Sequence, residues 1–257
     1  MKKTVRLEIE KINPERAVLI EGLPGLGLVG KIASEYLIKQ LKARKVAELY
    51  SPHFAHFVIV DDEGSLRLLR LEFYYWRGED TDRDFILLTG DCQAQTVEGQ
   101  YEVAGAIFNY AREKNVDLII TLGGYQREFV DEPQIFASAT NKRLLEDVVK
   151  FGVKNSPPGS PIIGVAGILV GLSGFNDVDA LCLLAETRGY RPDPKASKSL
   201  LNLLSKMFKF NIDLSDLESE IARYEKMEER IRMIERRGRA TEEARRAEGS
   251  EKIFYIG

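Results

Sequence analysis

From Met1 to about Tyr190, short apolar runs alternate with segments whose apolar residues recur every three or four positions. Such alternation restricts the chain to an α/β fold with a mainly parallel sheet, because strands running the same way must be joined by crossovers, usually helices. Residues 17–20 read as a buried strand, Gly22 to Gly27 as a Gly-rich turn, and Leu28 to Lys42 as the helix that follows. His53 to Val60 and Ser65 to Tyr75 flank Asp61-Asp-Glu-Gly64, a hairpin signal, so the sheet is expected to be mixed. Further strands are expected at Phe85 to Leu88, Leu118 to Leu122 and Ala180 to Ala185. Thr96 is placed to cap a helix with apolar positions Val97, Tyr101, Ala104, Phe108 and Ala111. Asn141 to Phe151 reads as helical and Pro161 to Val170 as extended.

After Asp193-Pro194 the glycines and β-branched residues thin out, and helix formers dominate to about Ala247. The expected organisation is an α/β domain over residues 1–195, a helical extension over 196–247 and a flexible apolar tail over 248–257. Ala196 to Phe210 has the pattern of one amphipathic helix. In a second, longer helix Leu217, Ile221, Tyr224, Ile231 and Ile234 lie on a narrow seam of the coiled-coil kind, which needs a partner surface. Its other faces interleave Glu228, Glu229 and Glu235 with Arg223, Arg230, Arg232, Arg236 and Arg237. Signs that alternate so evenly repel phosphate as often as they attract it, and the pattern reads as a solvated face.

Composition narrows the function. The 257 residues are 44% hydrophobic and 30% charged, which excludes a disordered chain or a small disulfide scaffold. With 37 Lys and Arg against 40 Asp and Glu, the net charge of −3 is not that of a nucleic-acid binder. The longest nearly unbroken apolar run, Pro161 to Leu172, falls well short of the ~20 residues a membrane span needs. Two histidines leave almost no material for a Ser-His-Asp triad or a histidine zinc site, and His53 and His56 would point to opposite faces of a strand. Cys92 and Cys182 are far apart with no C-x-x-C spacing, in keeping with a reducing, cytoplasmic setting. No metal, no cofactor and no catalytic residue is expected.

Gly25-Leu-Gly-Leu-Val-Gly30 satisfies G-x-G-x-x-G between an expected strand and helix. With Lys31 it also fits G-x-x-x-x-G-K, but position 32 is Ile where a phosphate loop needs Ser or Thr. Pro24, Leu26, Leu28 and Val29 make the loop stiff and apolar, so the simpler reading is a tight turn with close packing. Ligands of open α/β sheets gather beyond the carboxyl ends of the strands, where Gly25, Gly27, Asp91, Tyr125 and Glu186 could line one crevice. Asp91 and Glu186 could equally cap helices or bond loop backbone.

Glu21 to Gly30, Thr121-Leu-Gly-Gly-Tyr125, Gly164-Val-Ala-Gly-Ile-Leu169 and Ala185-Glu-Thr-Arg-Gly-Tyr-Arg-Pro-Asp-Pro194 together resemble the PAC2 family, the proteasome assembly chaperone homologues, over roughly residues 15 to 210. The chain looks like an archaeal member. The resemblance implies a three-layer α/β domain similar to nucleoside phosphorylases and hydrolases but without their catalytic residues, and a role in protein assembly. It also implies a tail that enters pockets between proteasome α-subunits, with a terminal carboxylate paired to a Lys. In the members that act on the proteasome such a tail ends in a hydrophobic residue, a Tyr and one final residue. Phe254-Tyr255-Ile256 matches that triplet, but Gly257 follows, which leaves the Tyr third from the end and moves the carboxylate by up to ~3.5 Å, more than a charge-assisted hydrogen bond tolerates.

The expectation is therefore a non-enzymatic homo-oligomeric scaffold or assembly chaperone whose protein partner, proteasome α-subunits among the candidates, is engaged through Phe254, Tyr255, Ile256 and Gly257. Nucleic acid and membrane are not expected partners. The alternative is a nucleotide- or nucleoside-binding enzyme that uses the crevice at the strand ends.

Overall fold

A computed structural model of the chain describes residues 3–60, 63–78, 83–128, 131–219 and 221–222. The N-terminal half runs β1 (Val5–Glu8), β2 (Ala17–Glu21), α1 (Val29–Leu41), β3 (Arg44–Tyr50), β4 (Val58–Val60), β5 (Leu66–Leu68), β6 (Leu71–Trp76) and β7 (Asp84–Gly90). It continues with α2 (Val97–Glu113), β8 (Val116–Gln126), β9 (Ile135–Ala139), α3 (Lys142–Val149), β10 (Lys154–Asn155), α4 (Val165–Phe175), β11 (Asp179–Thr187) and α5 (Pro194–Phe208).

Nine strands form one mixed sheet in the order β1-β3-β6-β7-β2-β8-β11-β9-β10, and β4 with β5 form a separate two-stranded ribbon. At the centre β7, β2, β8 and β11 are parallel, while β1, β3 and β6 extend the sheet antiparallel. Central strands covered on both faces need apolar residues at consecutive positions, and residues 17–20 are fully buried. On one face Ala17, Leu19, Ile86, Leu88 and Ile119 pack with residues of α2 and α4. On the other, α1 and α5 pack on each other, with α1 over β7 and β8 and α5 over β11. The fold is a large mixed sheet with helices on both sides, as expected.

Local signals explain most boundaries. The Thr96 side chain accepts the Gly99 N–H, Asn141 accepts that of Leu144 and Asp193 that of Ala196, so α2, α3 and α5 each start at a capping residue. Pro194 occupies the first turn of α5, where its missing N–H costs nothing.

Three expectations change. Pro161 to Val170 does not run extended: α4 begins at Val165, and its first N–H is capped by the Gln93 side chain at 3.0 Å. That cap lies far away in the chain, and a helix apolar on nearly all sides shows no helical period. In α2 the stripe shifts, with Val97 and Tyr101 exposed and Val103, Ala104, Ile107, Phe108, Tyr110 and Ala111 buried. The hairpin is present, but it leaves the main sheet as β4 and β5, and the chain re-enters at β6.

The chain divides into two compact units, Met1–Asp213 and Leu214–Gly257. Helix α5 packs on α1 and β11 and belongs to the first of these units. In the second unit residues 215–219 and 221–222 are helical and Leu217 is buried. Tyr224, Ile231, Ile234 and the tail residues Phe254, Tyr255, Ile256 and Gly257 lie outside the described residues. Among the described residues no helix is long and apolar enough to cross a membrane.

Candidate functional site

The parallel register of β7, β2, β8 and β11 brings their carboxyl ends to one edge, so Gly25, Gly27, Asp91, Tyr125 and Glu186 all lie there, as the sequence suggests. What the edge does with them is different. Asp91 receives the Arg67 guanidinium in a two-pronged bond, at 2.6 and 2.9 Å, and the Arg70 N–H at 3.0 Å. Burial pushes the Asp91 carboxyl up, but the guanidinium and the backbone N–H outweigh it and hold the group below its usual range. Glu186 accepts from Arg127 Nε at 3.1 Å and from the Gln134 N–H at 3.2 Å. Tyr125 stacks on Phe136 with ring centres 4.7 Å apart. Each group has a partner inside the chain.

The glycine loop is closed in the same way. Gly27 sits at φ +59°, in the left-handed region where glycine is at ease. A Cβ there would stand 2.6 Å from Thr187 Oγ1, and one on Gly30 would strike the Leu122 carbonyl. The N–H groups that might greet a phosphate are used internally: Gly27 donates to Gly189 O at 3.0 Å and Leu28 to Gly25 O at 3.0 Å. Asp193 in turn donates its N–H to Gly27 O at 2.8 Å and accepts the Thr187 hydroxyl at 2.7 Å, so the loops after β2 and β11 are laced together. Leu26 lies over Gly124 and Gly189. Leu26 thus covers part of the strand-end edge above β8 and the turn after β11 while remaining partly exposed itself.

The remaining reactive groups are quiet. Burial pushes the Cys182 thiol up to about 12, with the neighbouring Thr121 hydroxyl offsetting part of the rise, which removes thiolate at neutral pH. Burial also raises Cys92. His53 contacts the Thr96 hydroxyl at 3.1 Å and Glu102 at 3.3 Å, a structural use of one of the two histidines. Among the described residues no group of three His, Cys, Asp or Glu is placed to hold a metal ion.

Sequence reasoning missed two features of this edge. One is Glu21, the last residue of β2, which is buried and accepts only the Leu23 N–H, at 3.1 Å. The run Ala-Val-Leu-Ile-Glu announced it, had burial been extended through the strand end. The other is the outer face of the hairpin, which the sequence placed without marking it as exposed apolar surface. Val58 pairs with Leu68 and Val60 with Leu66, so four aliphatic side chains share one face, and all four are exposed. The alternation Val58, Val60 and Leu66, Leu68 carried that signal. Leu26 and Tyr190, in the loops after β2 and β11, are exposed as well, as are Phe57 and Ile163 elsewhere in the chain.

The model of the PAC2 family matches residues 19–232. The chain is 31% identical to the uncharacterized protein MJ1210 of Methanocaldococcus jannaschii, over 100% of this chain and 99% of that one. Among solved structures it is similar to Pyrococcus furiosus PbaB, an archaeal proteasome activator, with a TM-score of 0.86 and 37% identity, over 90% of this chain and 100% of that one. It is also similar to Pyrococcus furiosus PbaA, an archaeal homolog of proteasome-assembly chaperone, with a TM-score of 0.74 and 27% identity over 98% and 100% of the two chains.

Proposed function

The chain belongs to the PAC2 family, and from that premise we propose that it is a non-enzymatic, self-associating assembly factor that engages a protein partner. The observation that carries this reading is the state of the strand-end edge: its carboxylates are bonded within the chain, Leu26 covers Gly124 and Gly189, and aliphatic side chains face outward. Such an edge suits contact with another protein better than chemistry on a small molecule. PbaB is described as a proteasome activator and PbaA as a homolog of a proteasome-assembly chaperone, so proteasome α-subunits are the partner to test first.

The tail Phe254-Tyr255-Ile256-Gly257 is the proposed contact with that partner, and the seam residues Ile221, Tyr224, Ile231 and Ile234 a proposed contact between copies, Leu217 being already buried within the chain. A closed oligomer would present several tails together, so that weak individual affinities multiply. Deleting residues 253–257 should abolish capture of proteasome α-subunits in a pull-down and leave the oligomer mass unchanged. Capture that persists after the deletion overturns the role of the tail.

A nucleotide- or nucleoside-binding enzyme is the competing reading, and the bonded N–H groups of Gly27 and Leu28 count against it. A thermal-shift screen with nucleotides and nucleosides tests it, because a ligand at 100 times its Kd stabilises by about 2.7 kcal/mol. A reproducible shift of that size would favour the enzyme.

A further inference from the structure

The ribbon of β4 and β5 has two unlike faces. On one, Ile59 packs against the core and Arg67 is clamped to Asp91 by its two-pronged bond. On the other stand Val58, Val60, Leu66 and Leu68, which are 46%, 62%, 70% and 54% exposed. A two-stranded ribbon is marginal in water by itself and depends on packing. This ribbon is held rigidly from behind while its whole outer face, two aliphatic cross-strand pairs with no charge among them, is open to solvent.

We propose that this face is a contact between copies of the chain, in which the ribbons of two protomers stack head to tail about a two-fold axis. The proposal rests on the self-associating reading above and specifies where one of its contacts lies. Two properties favour a second copy as the occupant. The face is uncharged and built of two similar pairs, so turning a second ribbon end for end sets Val58 and Leu68 of one copy over Val60 and Leu66 of the other, the self-complementarity a two-fold contact requires. The connection between the strands is acidic in sequence, Asp61-Asp-Glu63. Head-to-tail stacking keeps the two acidic connections at opposite ends, whereas stacking in parallel would set like charges against each other.

These four side chains, 46–70% exposed, make up only part of the ~800 Å² per partner of a standard interface. Stacked ribbons thus supply the apolar centre of an interface whose rim comes from surrounding surface, an arrangement in which a few central residues dominate the affinity.

The test is sedimentation velocity on the full chain over a range of concentrations, with Leu66→Asp, Val60→Asp and Leu66→Met beside the unmodified protein. Leu66 and Val60 are exposed, so all three variants should melt within a few degrees of the parent. Either Asp variant should weaken association about tenfold or more, because each two-fold contact then carries two buried charges, while Leu66→Met should keep it. If the unmodified protein associates and both Asp variants associate equally well, the ribbon contact is overturned and the self-associating reading stands. If the unmodified protein is a monomer throughout, both fall.

Discussion

Glu21 and Thr121 are register partners on neighbouring parallel strands, so a carboxyl group and a hydroxyl stand side by side in a fully buried row that continues to Cys182. Burial pushes the Glu21 carboxyl up to about 8 despite the Leu23 N–H it accepts, so at neutral pH the group is mostly protonated.

Stability should therefore fall with rising pH. A carboxyl that titrates near 4.5 when unfolded and near 8 when folded binds more protons in the native state between those values. Its contribution is fully present below about pH 4.5 and is gone above about pH 8, with a slope of at most ~1.4 kcal/mol per pH unit in between. Urea midpoints measured from pH 5 to 9 should show the decline, and Glu21→Gln, which keeps the shape without the titration, should flatten it. An unmodified protein with a flat profile over this range would mean that Glu21 is ionised in the fold.

The three glycines of the G-x-G-x-x-G loop should respond unequally. A Cβ on Gly25 meets nothing within 4 Å, whereas one on Gly30 collides with the Leu122 backbone. Gly25→Ala should cost under about 1 kcal/mol, and Gly30→Ala ~3 kcal/mol or more, because a helix start would have to move off the sheet. Thermal melts of the two variants separate packing glycines from permissive ones.

Removing the Arg67 side chain should loosen the ribbon without unfolding the body. Arg67→Ala leaves the half-buried Asp91 carboxylate without its guanidinium, a loss of roughly 1–3 kcal/mol felt mainly by the ribbon that Arg67 tethers. Amide hydrogen exchange should quicken at β4 and β5 and stay unchanged at β8. Uniform quickening across the sheet would show that the pair secures the whole unit.

Asp193→Ala should cost about 1–2 kcal/mol, since the residue caps α5 through the Ala196 N–H and also accepts the Thr187 hydroxyl. Asp193→Asn retains an oxygen for the cap and should lose less. Denaturant midpoints of the pair would establish whether the cap or the charge carries the effect.

How much could be read in advance follows from how local each cause is. Thr96, Asn141 and Asp193 cap the helices that begin beside them, and the alternation of strands and helices held over most of the body. Helix α4 escaped because its cap, Gln93, sits on a different loop and its apolar surface has no period. The crevice residues reached one edge because parallel strands share an end, yet their partners, Arg67 for Asp91 and Arg127 for Glu186, depend on tertiary placement that no local pattern encodes.

The central position of β2 also bears on how the chain is made. Its two neighbours, β7 and β8, lie roughly 70 and 100 residues further along, so pairing β2 requires the closure of long loops, the kind of non-local contact that slows folding. During synthesis Ala-Val-Leu-Ile leaves the ribosome early, with one hydrogen-bonding edge bare until β7 has emerged and the other until Thr121 has. A protein whose mature surfaces invite association thus begins life as a nascent chain with a sticky strand of its own to shield.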